Sequence, residues 1–213
     1  SDNRIPNHGF DNIYEQIKRL TIEDSYIETE SFLKIAAISE SIKELKKYFK
    51  KFHTYYPNLS FLSEHVDFVQ EIIDEIKKVI SAYGEIVDNA SPELRKIRRS
   101  IAGLQGKIGQ SFSSALGKAK AAGYLDDIKE SVVDNHRVLA VLAMHRKKVT
   151  GSLVGSSKSG NIVYISPQAT LAYQRELQNL EYEEKQEVIR ILKNLSYQIR
   201  PYTPLLESYL VYL

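Results

Sequence analysis

The sequence predicts a mainly α protein: a helical bundle core, a long antiparallel two-helix (coiled-coil) arm, and a small antiparallel β meander capping that arm. Three observations predict it. Apolar residues recur at three- and four-residue intervals through most of the chain, the period of a helix with one buried face. Two of these periodic stretches, Pro92 to Tyr124 and Pro167 to Ile199, have nearly equal length. Between them the pattern changes to short runs rich in Val, Leu and Ile, separated by polar turns, which is the pattern of strands.

The N-terminal region supplies the bundle. Helices are expected from Asp11 to about Leu20 and from Ser31 to about Tyr55, the second with a stripe that includes Phe32, Ile35, Ile38, Ile42 and Leu45. Tyr55-Tyr56-Pro57-Asn58 should stop it. A third stripe, built on Val66, Val69, Ile72, Ile73, Ile76 and Val79, predicts a helix from Ser63 to about Tyr83 that ends at Gly84. None of these can bury its stripe alone, so residues 1–90 are expected to pack as one helical core.

The arm follows. Ser91-Pro92 is a helix start, with a hydroxyl that can accept from free backbone N–H groups and a Pro where no donor is needed. Ser166-Pro167 repeats it, and Arg200-Pro201 ends the second helix. Each helix is about 33 residues, or roughly 50 Å at 1.5 Å per residue. Equal lengths and matching stripes predict an antiparallel coiled coil. Residues 91–134 and 166–200 are assigned to the arm, 135–165 to its tip, and 201–213 to a return into the core or the next domain. Gly103, Gly106, Gly109 and Gly117 lie inside the first arm helix, each costing about 1 kcal/mol relative to Ala. They either admit the partner helix closely or loosen the arm.

In the tip, Arg137–Met144, Val149–Gly155 and Ile162–Ile165 predict a three-stranded meander. Charge singles this region out. The 213-residue chain carries only +2 net, yet Asn135 to Arg175 contains no Asp or Glu and six cations, Arg137, Arg146, Lys147, Lys148, Lys158 and Arg175. Leu94 to Leu125 is also acid-free, with seven cations. Where net charge is small, affinity for a polyanion comes from placement. His145, Ser156, Ser157, Ser159 and Asn161 add donors suited to phosphate oxygens. Charged turns also keep a small sheet soluble, but two basic turns at the end of one arm favour phosphate contact.

Catalytic patterns are poor. Gly155 and Gly160 match the outer glycines of a P-loop, but Asn161-Ile162 stands where Lys and Ser or Thr must hold phosphate and Mg²⁺. The five His show no HExxH spacing, and with no Cys there is neither a disulfide nor a thiolate metal site. Ser31 and Lys34 form an isolated SxxK without its companion motifs. Glu181, Glu183, Glu184 and Glu187 read as a solvated helix face. No apolar run approaches a membrane span, and a cytoplasmic protein is expected. The only Met is Met144, so the chain reads as an excised part of a longer polypeptide.

Two stretches carry a family resemblance. Gly84-Glu85-Ile86-Val87-Asp88-Asn89-Ala90-Ser91-Pro92-Glu93-Leu94-Arg95-Lys96-Ile97-Arg98 resembles the start of the arm in the second bacterial branch of the MutS proteins. The run from Val149 through Gly151-Ser152-Leu153 and Ser156-Ser157-Lys158-Ser159-Gly160-Asn161 to Pro167 resembles that branch's clamp. The Glu-rich helix from Glu176 to Leu195 is similar to its return arm. The resemblance implies a MutS core, lever helices and a clamp that touches nucleic acid. It also implies an ATPase domain beyond this chain, which would use ATP and Mg²⁺ and dimerise, and in many members a nuclease-like domain. The chain departs from the family at Ser166, where an acid is usual, at Val154-Gly155 in place of a His-Asp pair, and at Ala172-Tyr173 in place of a paired Asn.

The expected function is a non-catalytic clamp on the sugar-phosphate backbone of DNA, branched or mismatched, serving mismatch repair or recombination control. The alternative is a structural or protein-docking arm, or one that meets ribosomal RNA. No cofactor is expected within the chain, and a homodimer is expected of the full-length protein.

Overall fold

The computed structural model describes residues 5, 6 and 10–213. The fold is mainly α with a small antiparallel sheet, and the chain divides into two compact units, one up to Arg95 with Lys185–Leu213, the other Lys96–Glu184.

The first unit is helical. It holds α1 (Tyr14–Leu20), α2 (Thr29–Lys51), α3 (Pro57–Glu64), α4 (Gln70–Val79) and α7 (Thr203–Tyr212), with the first turn of α5 (Pro92–Ala121) and the C-terminal part of α6 (Gln168–Ile199). The stripe of α2 is buried as its period requires: Phe32, Ile35, Ile38 and Ile42 are all fully inside, packed with Ile72 and Ile76 of α4 and Leu195 of α6. Two bonds tie distant segments together. The Ile27 N–H donates to Ser196 Oγ at 3.2 Å, and Arg200 Nε donates to the Leu20 carbonyl at 2.6 Å.

Two expectations change here. α2 already ends at Lys51, and Pro57 starts another helix, because a Pro with no N–H to satisfy fits the first turn of α3. The stripe from Ser63 to Tyr83 is helical mainly over Gln70–Val79, since α3 already ends at Glu64 and Val69 is extended at φ −122°, ψ 111°. Apolar spacing alone does not register such a break.

Ser91 caps α5 as its sequence predicts. Its Oγ accepts from the Leu94 N–H at 2.9 Å and its hydroxyl donates to Glu187 Oε1 at 2.6 Å. Arg190 grips the same carboxylate through Nη2 at 2.6 Å and Nε at 2.7 Å. Glu187 is therefore buried at 8 % exposure rather than part of a solvated face. The Arg190 hydrogen bonds, opposed by burial and helped by Ser91, hold its carboxyl below the usual glutamate range.

The second unit joins most of α5 and the first part of α6 to a four-stranded sheet. The strands are β1 (Leu125–Val133), β2 (His136–Leu142), β3 (Gly151–Ser156) and β4 (Ile162–Pro167), in the order β1-β2-β4-β3, all neighbours antiparallel. The helices run antiparallel in this unit: Arg98 Nε donates to Glu184 Oε1 at 2.7 Å, and farther along Ile108 and Phe112 share a groove with Gln174 and Leu177. One sheet face supplies Leu139, Val141, Val163 and Ile165 to a small core with Phe112 and Ala119 of α5. These four are cross-strand partners, Leu139 with Ile165 and Val141 with Val163, and so share a face by register.

The sheet has one strand more than expected. Leu125–Val133 is an edge strand, and α5 stops before it at Gly123, whose φ of +68° ends the helix. β1 meets β2 through Asp134-Asn135, both left-handed at φ 47° and 62°, the two-residue hairpin turn matched to strand twist. Nor are the strands a simple succession, because β4 inserts between β2 and β3. Ser166 does not repeat the Ser91 cap. It lies in β4 with its hydroxyl directed to Gln174 Oε1 at 3.4 Å. Gly151 is demanded by packing, since a Cβ there would collide with the Ser166 carbonyl. The glycines of α5 admit no close partner: a Cβ at Gly103, Gly106, Gly109 or Gly117 would meet nothing within 4 Å.

Candidate nucleic-acid interface

The second unit gathers most of the basic residues singled out by sequence. A 3-10 helix, Ala143–Lys148, leaves the end of β2 and carries Met144, His145, Arg146, Lys147 and Lys148. The β3–β4 turn, Ser157 to Asn161, carries Lys158. They begin at the same end of the sheet, because Leu142 pairs with Ile162 and the Ala143 N–H donates to the Asn161 carbonyl at 2.9 Å. Arg146, Lys147, Lys148 and Lys158 are all exposed. Among the described residues, none of the four has a carboxylate partner.

The turn is fixed by its own polar groups. Gly160 adopts φ +72° and its N–H donates to the Ser157 carbonyl at 2.9 Å. Ser157 Oγ accepts from the Ile162 N–H at 3.1 Å, so this hydroxyl is engaged structurally and only half-exposed. Ser156, Ser159 and Asn161 are exposed. Together they leave a hydrogen-bonded, donor-rich loop beside the start of the basic helix.

Other candidates are placed differently. Arg137 is bound on two sides: its Nη2 donates to Glu130 Oε2 at 2.6 Å and its guanidinium lies 4.4 Å from the centre of the Phe112 ring. Glu130 sits outside the acid-free stretch in sequence, but the β1–β2 hairpin brings it alongside. His145 is half-buried and stacks on Tyr124, ring centres 5.0 Å apart. Arg175 is exposed on α6, and among the described residues no bond or ion pair joins it to the two turns. Sequence reasoning missed Glu130, Phe112 and Tyr124. The Asp134-Asn135 turn was the available signal for the first, since a two-residue hairpin folds Leu125–Val133 back onto β2.

No protein-family model matches the chain. Curated relatives do. The chain is 26% identical over 215 residues to "Endonuclease MutS2" of Aquifex aeolicus, a match that covers 94% of this chain and 26% of the relative. It is 30% identical over 190 residues to the protein of that name from Agathobacter rectalis, covering 88% and 24%. To that from Streptococcus equi subsp. equi it is 38% identical over 114 residues, covering 54% and 14%. The chain is related to the MutS family. This MutS relative spans about a quarter or less of the length of those curated proteins. Among the described residues no helix is long and apolar enough to cross a membrane, and no cluster of three or more His, Asp or Glu could hold a metal ion.

Proposed function

We propose that this chain is the non-catalytic lever and clamp part of a MutS-like DNA-binding protein, gripping the nucleic-acid backbone without reading its sequence. One observation carries the reading: four exposed cations, without carboxylate partners among the described residues, sit on the two segments that connect β2 to β3 and β3 to β4, which start from the same end of the sheet. Such cations displace counterions from phosphates, and the serine and backbone donors of the Ser157–Asn161 turn suit phosphate oxygens. In this reading residues 1–90 serve as core, α5 and α6 as levers, and residues 135–165 as clamp. Opening would be driven by ATP and Mg²⁺ at a domain elsewhere in a longer, dimeric polypeptide. Branched or mismatched DNA is the proposed partner, and the cytoplasm the proposed location.

A second reading has its own support. Met144 is 81% exposed within the basic helix, and Leu153 and Val154 on the edge strand are 48% and 38% exposed. Apolar groups of this kind suit a protein surface, and would make the tip a docking element.

The test is fluorescence anisotropy of the wild type and of a variant with Arg146, Lys147, Lys148 and Lys158 changed to Ala. Duplex, branched and mismatched DNA and structured RNA are compared at several salt concentrations. With three to five phosphate contacts, log K should fall against log salt with a slope of roughly −3 to −5, and the variant should lose most of that slope. Salt-insensitive binding, or equal binding by both proteins, overturns the clamp and favours docking. A preference for structured RNA moves the partner to ribosomal RNA.

A further inference from the structure

The second unit contains a groove whose chemistry goes beyond backbone contact. It has a volume of about 740 Å³, inside the roughly 300–1,000 Å³ range of small-ligand sites. One wall is α5. The other is formed by residues 148–150 and the opening of α6. Lys118 and Lys148, both exposed, stand on these opposite walls, and no Asp or Glu is among the described residues lining it. Ser114, Thr150 and Gln168 add uncharged hydrogen-bonding groups. Apart from Ser111 the rest is apolar, with Ala115 and Val149 partly exposed beside the Tyr124 ring and Ala119 and Leu139 buried behind them.

The groove also borders the start of a 32-residue helix, where N–H groups lack helical acceptors and the helix dipole is positive. Thr150 O already accepts the Gln168 N–H at 3.0 Å, so the anion-holding role falls to the lysine pair. Two cations without an acid call for an anion. The apolar wall calls for a flat uncharged body attached to it. An inorganic phosphate would leave the wall uncovered, and a purely apolar ligand would leave both ammonium groups without a counter-charge.

We propose that this groove receives a single unpaired nucleotide, with its phosphate between Lys118 and Lys148 and its base against the partly exposed wall of Ala115, Tyr124 and Val149. The inference deepens the nucleic-acid reading and rests on it where the nucleotide belongs to a strand; a free nucleoside monophosphate offers the same chemistry. A base stacked within a duplex does not reach such a groove, whereas a bulged one is already out of the stack. The groove thus gives a backbone clamp a preference for irregular nucleic acid that the four tip cations by themselves do not supply.

The test uses the intact chain, with Lys118→Ala and Ala122→Phe as variants. Ala122 lines the groove and is exposed, so the added ring fills the groove without entering the core, and circular dichroism with a melting curve verifies folding. Anisotropy is read on a paired duplex and on the same duplex with a one-nucleotide bulge, with adenosine monophosphate and inorganic phosphate as competitors. The expected result is tighter binding of the bulged duplex by the wild type. Lys118→Ala should lose about tenfold on the bulged duplex, the scale of one charge-assisted contact, Ala122→Phe should lose binding there by filling the groove, and both should leave the paired duplex unchanged. Adenosine monophosphate should compete better than phosphate, for the bulged duplex alone.

Variants that weaken both duplexes equally, or neither, overturn the groove and leave the clamp standing. A wild type that binds neither duplex, but is thermally stabilised by adenosine monophosphate in a way both variants lose, overturns the clamp and keeps the groove as a free-nucleotide site. Failure to bind duplex or nucleotide overturns both.

Discussion

The two units reach order by different means. The helical unit draws a continuous core from α1, α2, α4, α6 and α7, with residues such as Phe32, Ile35 and Tyr209 wholly inside. In the sheet unit the buried cluster is smaller, centred on Phe112 and Leu139 between one sheet face and α5, with Val138 and Ala140 buried on the other face of β2. Its remaining order comes from hydrogen-bonded turns and the Arg137–Glu130 pair over an aromatic ring. A small core suffices where a surface has only to be presented in fixed register. The difference teaches that single side chains should matter most in the sheet unit, where few others share the burden.

The largest test of that contrast is Phe112→Ala. Loss of a buried aromatic costs about 3–5 kcal/mol, and here Arg137 also loses the ring beneath it. Amide exchange should accelerate through β1, β2 and β4 while Ile35 and Ile38 stay protected. Uniform acceleration would show that the units do not melt separately. Phe32→Ala, of similar expected size, should give the converse pattern in the helical unit.

Next in size is the Ser91 cap. Ser91→Ala removes the acceptor for the Leu94 N–H and one donor to Glu187, and should cost about 1–2 kcal/mol by chemical denaturation. Its pH dependence follows from Glu187. The folded carboxyl lies below its ordinary value of 4.5, so its stabilisation is complete above that pH and is lost as pH falls through the lower folded value. Glu187→Gln should flatten the stability–pH curve in this acidic window. An unchanged curve would remove the carboxylate from the account.

The smallest effect is at the arm glycines. Gly103→Ala and Gly106→Ala place a methyl in open space on a helix, and each should raise stability by about 1 kcal/mol, seen as a higher melting temperature. A loss would mean that another surface packs against these positions in solution.

Much of this is legible in the sequence. Ser91-Pro92 announced a capped helix, and the shift from helical to alternating period announced the sheet. Leu125–Val133 was not legible, because an exposed edge strand with Asp126, Asp127, Lys129 and Glu130 has no alternating stripe to read. Ser166-Pro167 looked like Ser91-Pro92 but lies in a strand, since a two-residue motif is subordinate to the ladder that pairs it. The basic turns were visible as charge along the chain. That Arg137 is neutralised by Glu130, and that Lys118 faces Lys148 across a groove, depends on hairpin register and on crossing segments, which no local pattern encodes.

The helical unit is assembled from two stretches of chain that flank the sheet unit in sequence. During synthesis the sheet unit is therefore available in full before Ser196 and Arg200 emerge to meet Ile27 and Leu20. Until then α1 and α2 wait with their Phe and Ile side chains lacking α6 and α7. The sheet unit can therefore close on its own ladder while the helical unit still lacks its C-terminal part.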